Sequence, residues 1–137
     1  MSTRPSSIRI AEGTRRYMEE TCRRTGRDFS SLANEMLAEA VRMRRIPGIV
    51  FHDSPAGRAA VVAGTGIRVA EVVRSCREMG CNWERLRAAY HWLSEAQLRS
   101  VLAYAEAYPE EIEERLQQEE RWSPEAVWAT YPFTKPR

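Results

Sequence analysis

The chain has 137 residues and a mass of 15.8 kDa, with 43% hydrophobic and 29% charged residues, which is the balance of a globular rather than a disordered chain. That length suits one ordinary domain or two very small ones, and is short for an enzyme with separate cofactor and substrate domains. No apolar run approaches the ~20 residues of a membrane span. The opening Met-Ser-Thr-Arg-Pro-Ser-Ser lacks an apolar signal core, so a cytoplasmic, nucleoid-associated location is expected. Three cysteines are too few for a disulfide scaffold.

The net charge of +2 hides an asymmetry. Residues 1–46 hold ten arginines against six carboxylates, residues 47–105 seven against five, and residues 106–137 eight glutamates against three arginines and one lysine. A basic front attracts phosphate and an acidic tail repels it, so the two ends are expected to face different partners. A merely lopsided, solvated surface is the alternative.

The segment 1–46 reads as strand, helix, helix. Ser6-Ser7-Ile8-Arg9-Ile10 alternates polar and apolar with period two, as a half-buried strand does. A proline-free Arg/Glu stretch from Glu12 to Arg24 follows, and Gly26 closes it as a helix C-cap. Asp28 is placed to cap a second helix, on which Leu32, Met36, Leu37, Ala40 and Val41 share one face until Pro47-Gly48.

So small a unit cannot bury enough apolar surface alone. Pairing Ile8 and Ile10 with the same strand of a second chain would satisfy backbone and side chains together, with Leu32, Met36 and Leu37 completing a homodimer interface. Ser7 and Arg9 would then point outward on a two-stranded ribbon, a size the DNA major groove admits, and Arg9 could bond guanine bidentately. Arg4 and the helix start at Ser30 are candidate phosphate contacts. A dimerisation arm without DNA affinity is the competing reading.

Ser-Ile-Arg-Ile at 7–10, Thr-Gly-Arg at 25–27 and Ser31-Leu32 through Val41 resemble the ribbon-helix-helix repressors of the Arc and CopG type. The resemblance implies that outward strand residues read bases, here Pro5, Ser7 and Arg9. Two departures stand out: Pro5 offers no side-chain donor, and Thr14, Thr21 and Cys22 occupy helix positions where leucine and alanine are usual.

Residues 47–108 read as a hairpin followed by three helices. Ile49-Val50-Phe51 and Ala60-Val61-Val62 flank a turn-rich Asp53–Gly57 stretch. After Gly64-Thr65-Gly66 comes a helix with Val69, Val72, Val73 and Cys76 on one face, capped at Gly80. A second helix, about Asn82 to Tyr90, is expected to bury Trp83, Leu86 and Ala89. Ser94 and Gln97 form a capping box for a third, with Leu98, Val101, Leu102 and Ala105 inward. This is the order of a helix-turn-helix DNA reader, with Glu95, Gln97, Arg99 and Ser100 early on the recognition helix. Of these, Gln97 and Arg99 are candidate DNA contacts. A scaffold used only for dimerisation is the alternative.

The string from Pro47-Gly-Ile-Val through Ala63-Gly-Thr-Gly-Ile-Arg-Val, Met79-Gly-Cys-Asn-Trp-Glu and Leu93-Ser-Glu-Ala-Gln-Leu-Arg to Leu102-Ala-Tyr-Ala resembles a second family. It is the small uncharacterised helix-turn-helix domain treated as a VapB-type antitoxin and often encoded beside PIN-like ribonuclease toxins. The likeness spans about residues 46–112. That family usually has arginine where Gly66 stands and proline where Arg68 stands. The resemblance implies an antitoxin that neutralises a PIN-like toxin and represses its own promoter.

Residues 109–137 read as an acidic helical tail, with Ile112 and Leu116 as its aliphatics and Ser123-Pro124 opening a short helix. Trp122, Trp128, Tyr131 and Phe133 put four aromatics in the last sixteen residues. At ~25 cal/mol per Å² they demand cover, from a partner protein, a second protomer or the chain's own core.

Other chemistries find little footing. Cys76, Cys81 and His91 have no metal-ligand spacing, Gly64-Thr65-Gly66 lacks the lysine of a phosphate loop, and neither His52 nor His91 accompanies a nucleophile. No cofactor, metal or catalytic residue is expected. The expected fold is mainly α: a ribbon-helix-helix N-terminus, a short β-hairpin with a tri-helical domain, and a helical acidic tail. The expected partners are double-stranded DNA, a PIN-like toxin and a second copy of the chain. A stand-alone transcription factor, a chromosome-organising protein and a dimeric adaptor without DNA are the alternatives.

Overall fold

The computed structural model describes residues 3–121 and 123–137, so Trp122 lies outside the described residues. The fold is mainly α, with seven helices and one two-stranded antiparallel hairpin among them. The chain forms two compact units, the first ending at Val41 and the second beginning at Arg42.

In the first unit, residues 3–11 carry no regular element. The alternation at Ser6–Ile10 therefore builds no strand in a single chain, because a lone strand has nothing to accept its backbone hydrogen bonds. Helix α1 is Glu12–Thr25, with Glu12 in its first turn and Arg23 and Arg24 in its last, the charge order a helix dipole favours. Gly26 ends it in the left-handed conformation (φ 71°), its N–H donating to Cys22 O at 2.8 Å. Helix α2, Phe29–Arg45, starts where Asp28 accepts from the Ser31 N–H at 3.1 Å. Met18 and Leu32 are the buried hydrophobics of this unit. The face expected around Leu32 is only partly covered: Met36 is half-buried, while Leu37 (55%), Ala40 and Val41 are exposed.

The second unit holds the larger core. Strands β1 (Ile49–Ser54) and β2 (Gly57–Val62) pair with Ile49 opposite Val62 and Ser54 opposite Gly57. Both strands run longer than the apolar triplets alone indicated, leaving Pro55-Ala56 as a two-residue turn. The link to the helices is a turn with Gly64 (φ 79°) and Gly66 (φ 71°), closed by Val62 N–H donating to Ile67 O at 2.8 Å. Helix α3, Val69–Glu78, buries Val69, Val72, Val73 and Cys76, as their spacing requires.

Helix α4, Trp83–Ala89, is capped by Asn82 Oδ1 accepting from Arg85 N–H at 3.0 Å. It buries Leu86, but Trp83 is half-buried and Ala89 exposed, because seven residues bring only one side chain fully against the core. Helix α5, Glu95–Ala107, opens with the expected capping box: Ser94 Oγ accepts from Gln97 N–H at 3.1 Å and Ser94 N–H donates to Gln97 Oε1 at 2.7 Å. Leu98, Val101 and Tyr104 are buried on it, with Leu102 and Ala105 packed at the core edge. Helix α6, Pro109–Arg121, is continuous with this core through Ile112 and Leu116, so the start of the acidic tail is structural. Helix α7, Pro124–Thr130, has the Ser123 N-cap and first-position proline read from the sequence, and a 3-10 turn at Pro132–Thr134 follows.

Candidate nucleic-acid and partner interface

In the first unit the candidate base-reading residues Arg4, Ser7 and Arg9 are exposed on the segment preceding α1, and neither arginine forms an ion pair among the described residues. Ile8 on the same segment is 65% exposed and Ile10 half-buried. Ser30 is exposed in the first turn of α2, where Asp28 already holds one of the free N–H groups. Other arginines of this unit are engaged locally: Arg15 with Glu19 (3.1 Å) and over the Phe29 ring, Arg16 with Glu12 (3.1 Å), and Arg27 with Glu35 (2.8 Å). Among the described residues the unit thus has arginines without an ion pair on its leading segment, and it also leaves Ile8, Tyr17, Leu37 and Val41 uncovered.

In the second unit the two candidate readers on α5 are occupied. Gln97 spends its carbonyl on the capping box, and Arg99 donates to Glu95 at 2.7 Å while lying over the Trp83 ring, 5.3 Å from its centroid. The Arg99 pairing holds the Glu95 carboxyl below its ordinary range. Neither side chain extends freely from the helix in this state.

The meeting of α6 with α3 was not foreseeable from either helix alone. Glu119 accepts from Arg68 at 2.5 Å and pairs with Arg74, and Glu113 pairs with Arg77. Glu113 is held low chiefly by that hydrogen bond. Three arginines of the α3 region therefore face the glutamates of α6 rather than solvent anions. Alongside lies a cleft of about 600 Å³ lined by Ser54, Pro55, Arg68, Arg115, Glu119 and Arg121. Its Arg115 donates to Ala56 O at 3.1 Å and to Arg58 O, fastening α6 to the hairpin turn. Spacing within each helix suggested nothing of this, since the partners lie 36 to 59 residues apart.

A second polar cluster is built around Tyr104, which is fully buried and donates to Glu111 Oε2 at 2.7 Å. Burial, and then that bond, raise the phenol above its ordinary range. Arg42 pairs with Glu111 at 3.5 Å and lies over the Tyr108 ring, and Arg45 donates to Tyr108 OH at 3.1 Å. At the C-terminus, Trp128 is half-buried, Tyr131 is exposed, and Phe133 is 85% exposed, with Tyr131 and Phe133 in edge contact at 6.1 Å. The structure separates aromatics that the sequence grouped as one set: Trp128 is half-buried, whereas Tyr131 and Phe133 are exposed.

No group of three or more His, Cys, Asp or Glu able to hold a metal ion occurs among the described residues. No helix among them is long and apolar enough to cross a membrane. Cys76 and Cys81, distant in spacing terms, are brought side by side where α3 ends.

Residues 49–105 match the profile of a family described as a protein of unknown function (DUF433). The match covers the hairpin, α3, α4 and most of α5, and stops before α6. No curated protein and no solved structure matches the chain.

Proposed function

We propose that this protein is a dimeric DNA-binding regulator of the antitoxin class, reading an operator through a ribbon formed by residues 6–10 of two chains. The observation that carries the reading is the state of the first unit: Ile8, Tyr17, Leu37 and Val41 lie in water, while Arg4 and Arg9 form no ion pair among the described residues. At ~25 cal/mol per Å², leaving such apolar surface exposed is unfavourable, and a second copy is the simplest cover. Pairing two copies of residues 6–10 would turn Ile8 and Ile10 inward and Ser7 and Arg9 outward. Resemblance to the ribbon-helix-helix repressors supports the same arrangement.

The occupied state of Gln97 and Arg99 favours the first unit over α5 as the DNA contact. Tyr131 and Phe133 supply exposed aromatic anchors of the kind that dock into a partner's pockets, here a PIN-like toxin. That assignment rests on the second resemblance together with their exposure.

The test is a fluorescence-anisotropy titration with the duplex lying upstream of the protein's own coding sequence. Affinity should fall steeply with salt, since each neutralised phosphate releases counterions. Arg9→Ala should weaken specific binding by about 1–3 kcal/mol, or roughly 5- to 150-fold, with Tm unchanged. Equal affinity of wild type and Arg9→Ala for that duplex, or binding indifferent to salt, would overturn the proposal.

A further inference from the structure

Helix α3 ends in a complete Schellman motif. Cys81 N–H donates to Cys76 O at 2.5 Å and Gly80 N–H to Arg77 O at 3.1 Å, the 6→1 and 5→2 bonds of that cap. Gly80 (φ 63°) and Cys81 (φ 53°) both adopt left-handed backbone, and Cys81 is the non-glycine residue with positive φ among those described. A β-carbon in that region costs about 1 kcal/mol, so Cys81 holds a position where glycine or asparagine would sit with less strain. A Schellman motif turns the side chain two residues past the cap back onto the last turn, where an apolar contact normally forms. Here both of those positions are cysteines, and Cys81 is among the groups that raise the Cys76 thiol. Cys76 is 5% exposed, whereas Cys81 opens to solvent.

From this geometry we infer that Cys76 and Cys81 form a reversible dithiol–disulfide site, oxidised by low-molecular-weight disulfides through the exposed Cys81. The 6→1 bond closes the backbone of Cys81 onto that of Cys76, and a disulfide between them needs their α-carbons about 4.4–6.8 Å apart. The Cys81 thiolate attacks the small disulfide and expels one thiolate, leaving a mixed disulfide on Cys81. Deprotonated Cys76 then attacks the Cys81 sulfur and expels the second thiolate. In sum, two cysteine thiols and one small disulfide become one protein disulfide and two small thiols. Burial first, and the neighbouring Cys81 second, push the Cys76 thiol up to about 11, so the closing step is the slow one and quickens with rising pH. This site is independent of the DNA-binding proposal, since it uses neither the first unit nor the C-terminal aromatics.

Trypsin provides a direct readout, because Arg77 lies between the two cysteines. The intact chain would be incubated with oxidised glutathione, its remaining thiols blocked, then denatured and digested. The expected product is the peptide Ser75–Arg77 joined to Glu78–Arg85, lighter by two hydrogens than the pair, and separated again by a dithiol reductant. The link should persist in Cys22→Ser, which removes the half-buried third thiol, and vanish in Cys81→Ser. Cys76→Ala should instead stop at glutathione on Cys81. Circular dichroism of each variant confirms that the fold is retained. Glutathione on Cys81 alone in the wild type after prolonged incubation, or bonds only between chains or to Cys22, would overturn the inference.

Discussion

Tyr104 and Cys76 show what burial does to a single titrating side chain. Both sit in the core of the second unit, and desolvation is the first cause that holds each in its protonated form. The Cys76 thiol is raised from an ordinary 9.0 to about 11, and the Tyr104 phenol is also raised. Between those two pH values the unfolded chain releases a Cys76 proton that the folded chain keeps. Folding then binds more protons than unfolding, so stability falls as pH rises. The contribution is fully present below about pH 9 and is lost through about pH 11. Thermal melts across that range should show Tm falling with pH, and Cys76→Ala should flatten part of the slope. An unchanged slope in the variant would show that Cys76 titrates alike in both states.

Among the elements, α5 carries the clearest link from local sequence to local structure. Ser94 and Gln97 satisfy one another's backbone donors, fix the first residue of the helix, and so place Leu98, Val101 and Tyr104 inward. Ser94→Ala should cost about 1 kcal/mol, lowering Tm by roughly 4–8 °C, as judged by calorimetry at neutral pH. The same box holds Gln97 away from any base edge. Helix α6 works differently. Its inner face joins the core through Ile112 and Leu116, and its glutamates take up Arg68, Arg74 and Arg77. The exposed Arg77–Glu113 pair contributes little to stability, about 0–1 kcal/mol, whereas Glu119 is largely buried; together these pairs decide which charges remain for an outside anion. After α6 is in place, the arginines of the α3 region are spoken for, while Arg4 and Arg9 of the first unit form no ion pair among the described residues.

For the whole molecule, the contrast between the units governs the expected assembly. The second unit closes its own core around Val62, Val69, Leu98, Val101 and Tyr104. The first buries Met18 and Leu32 and leaves Ile8, Tyr17, Leu37 and Val41 in solvent. Sedimentation velocity should therefore show a dimer, and Leu37→Glu should convert it to monomer at micromolar concentration while the second unit keeps its melting transition. A wild-type chain that sediments as a monomer at all concentrations would remove the basis for the ribbon.

Periodicity and capping residues were enough to place most helices, because each rests on interactions spanning three or four residues. Gly26 ends α1, Asp28 and Ser94 start α2 and α5, and the valines of α3 face inward as their spacing demands. The hairpin was legible for a similar reason, although its strands extend to Ser54 and back to Gly57 once cross-strand pairing fixes them. The period-two pattern at Ser6–Ile10 describes a potential strand, and no strand forms there without a second one to pair with. What sequence could not convey depends on residues far apart in the chain. Burial of Tyr104 against Phe51 and Glu111, the meeting of Arg68 and Arg77 with α6, and the exposure of Phe133 while Trp128 is half-buried are of this kind. Short-range hydrogen bonds are written into neighbouring residues, whereas desolvation and charge pairing across helices exist only after the chain has folded.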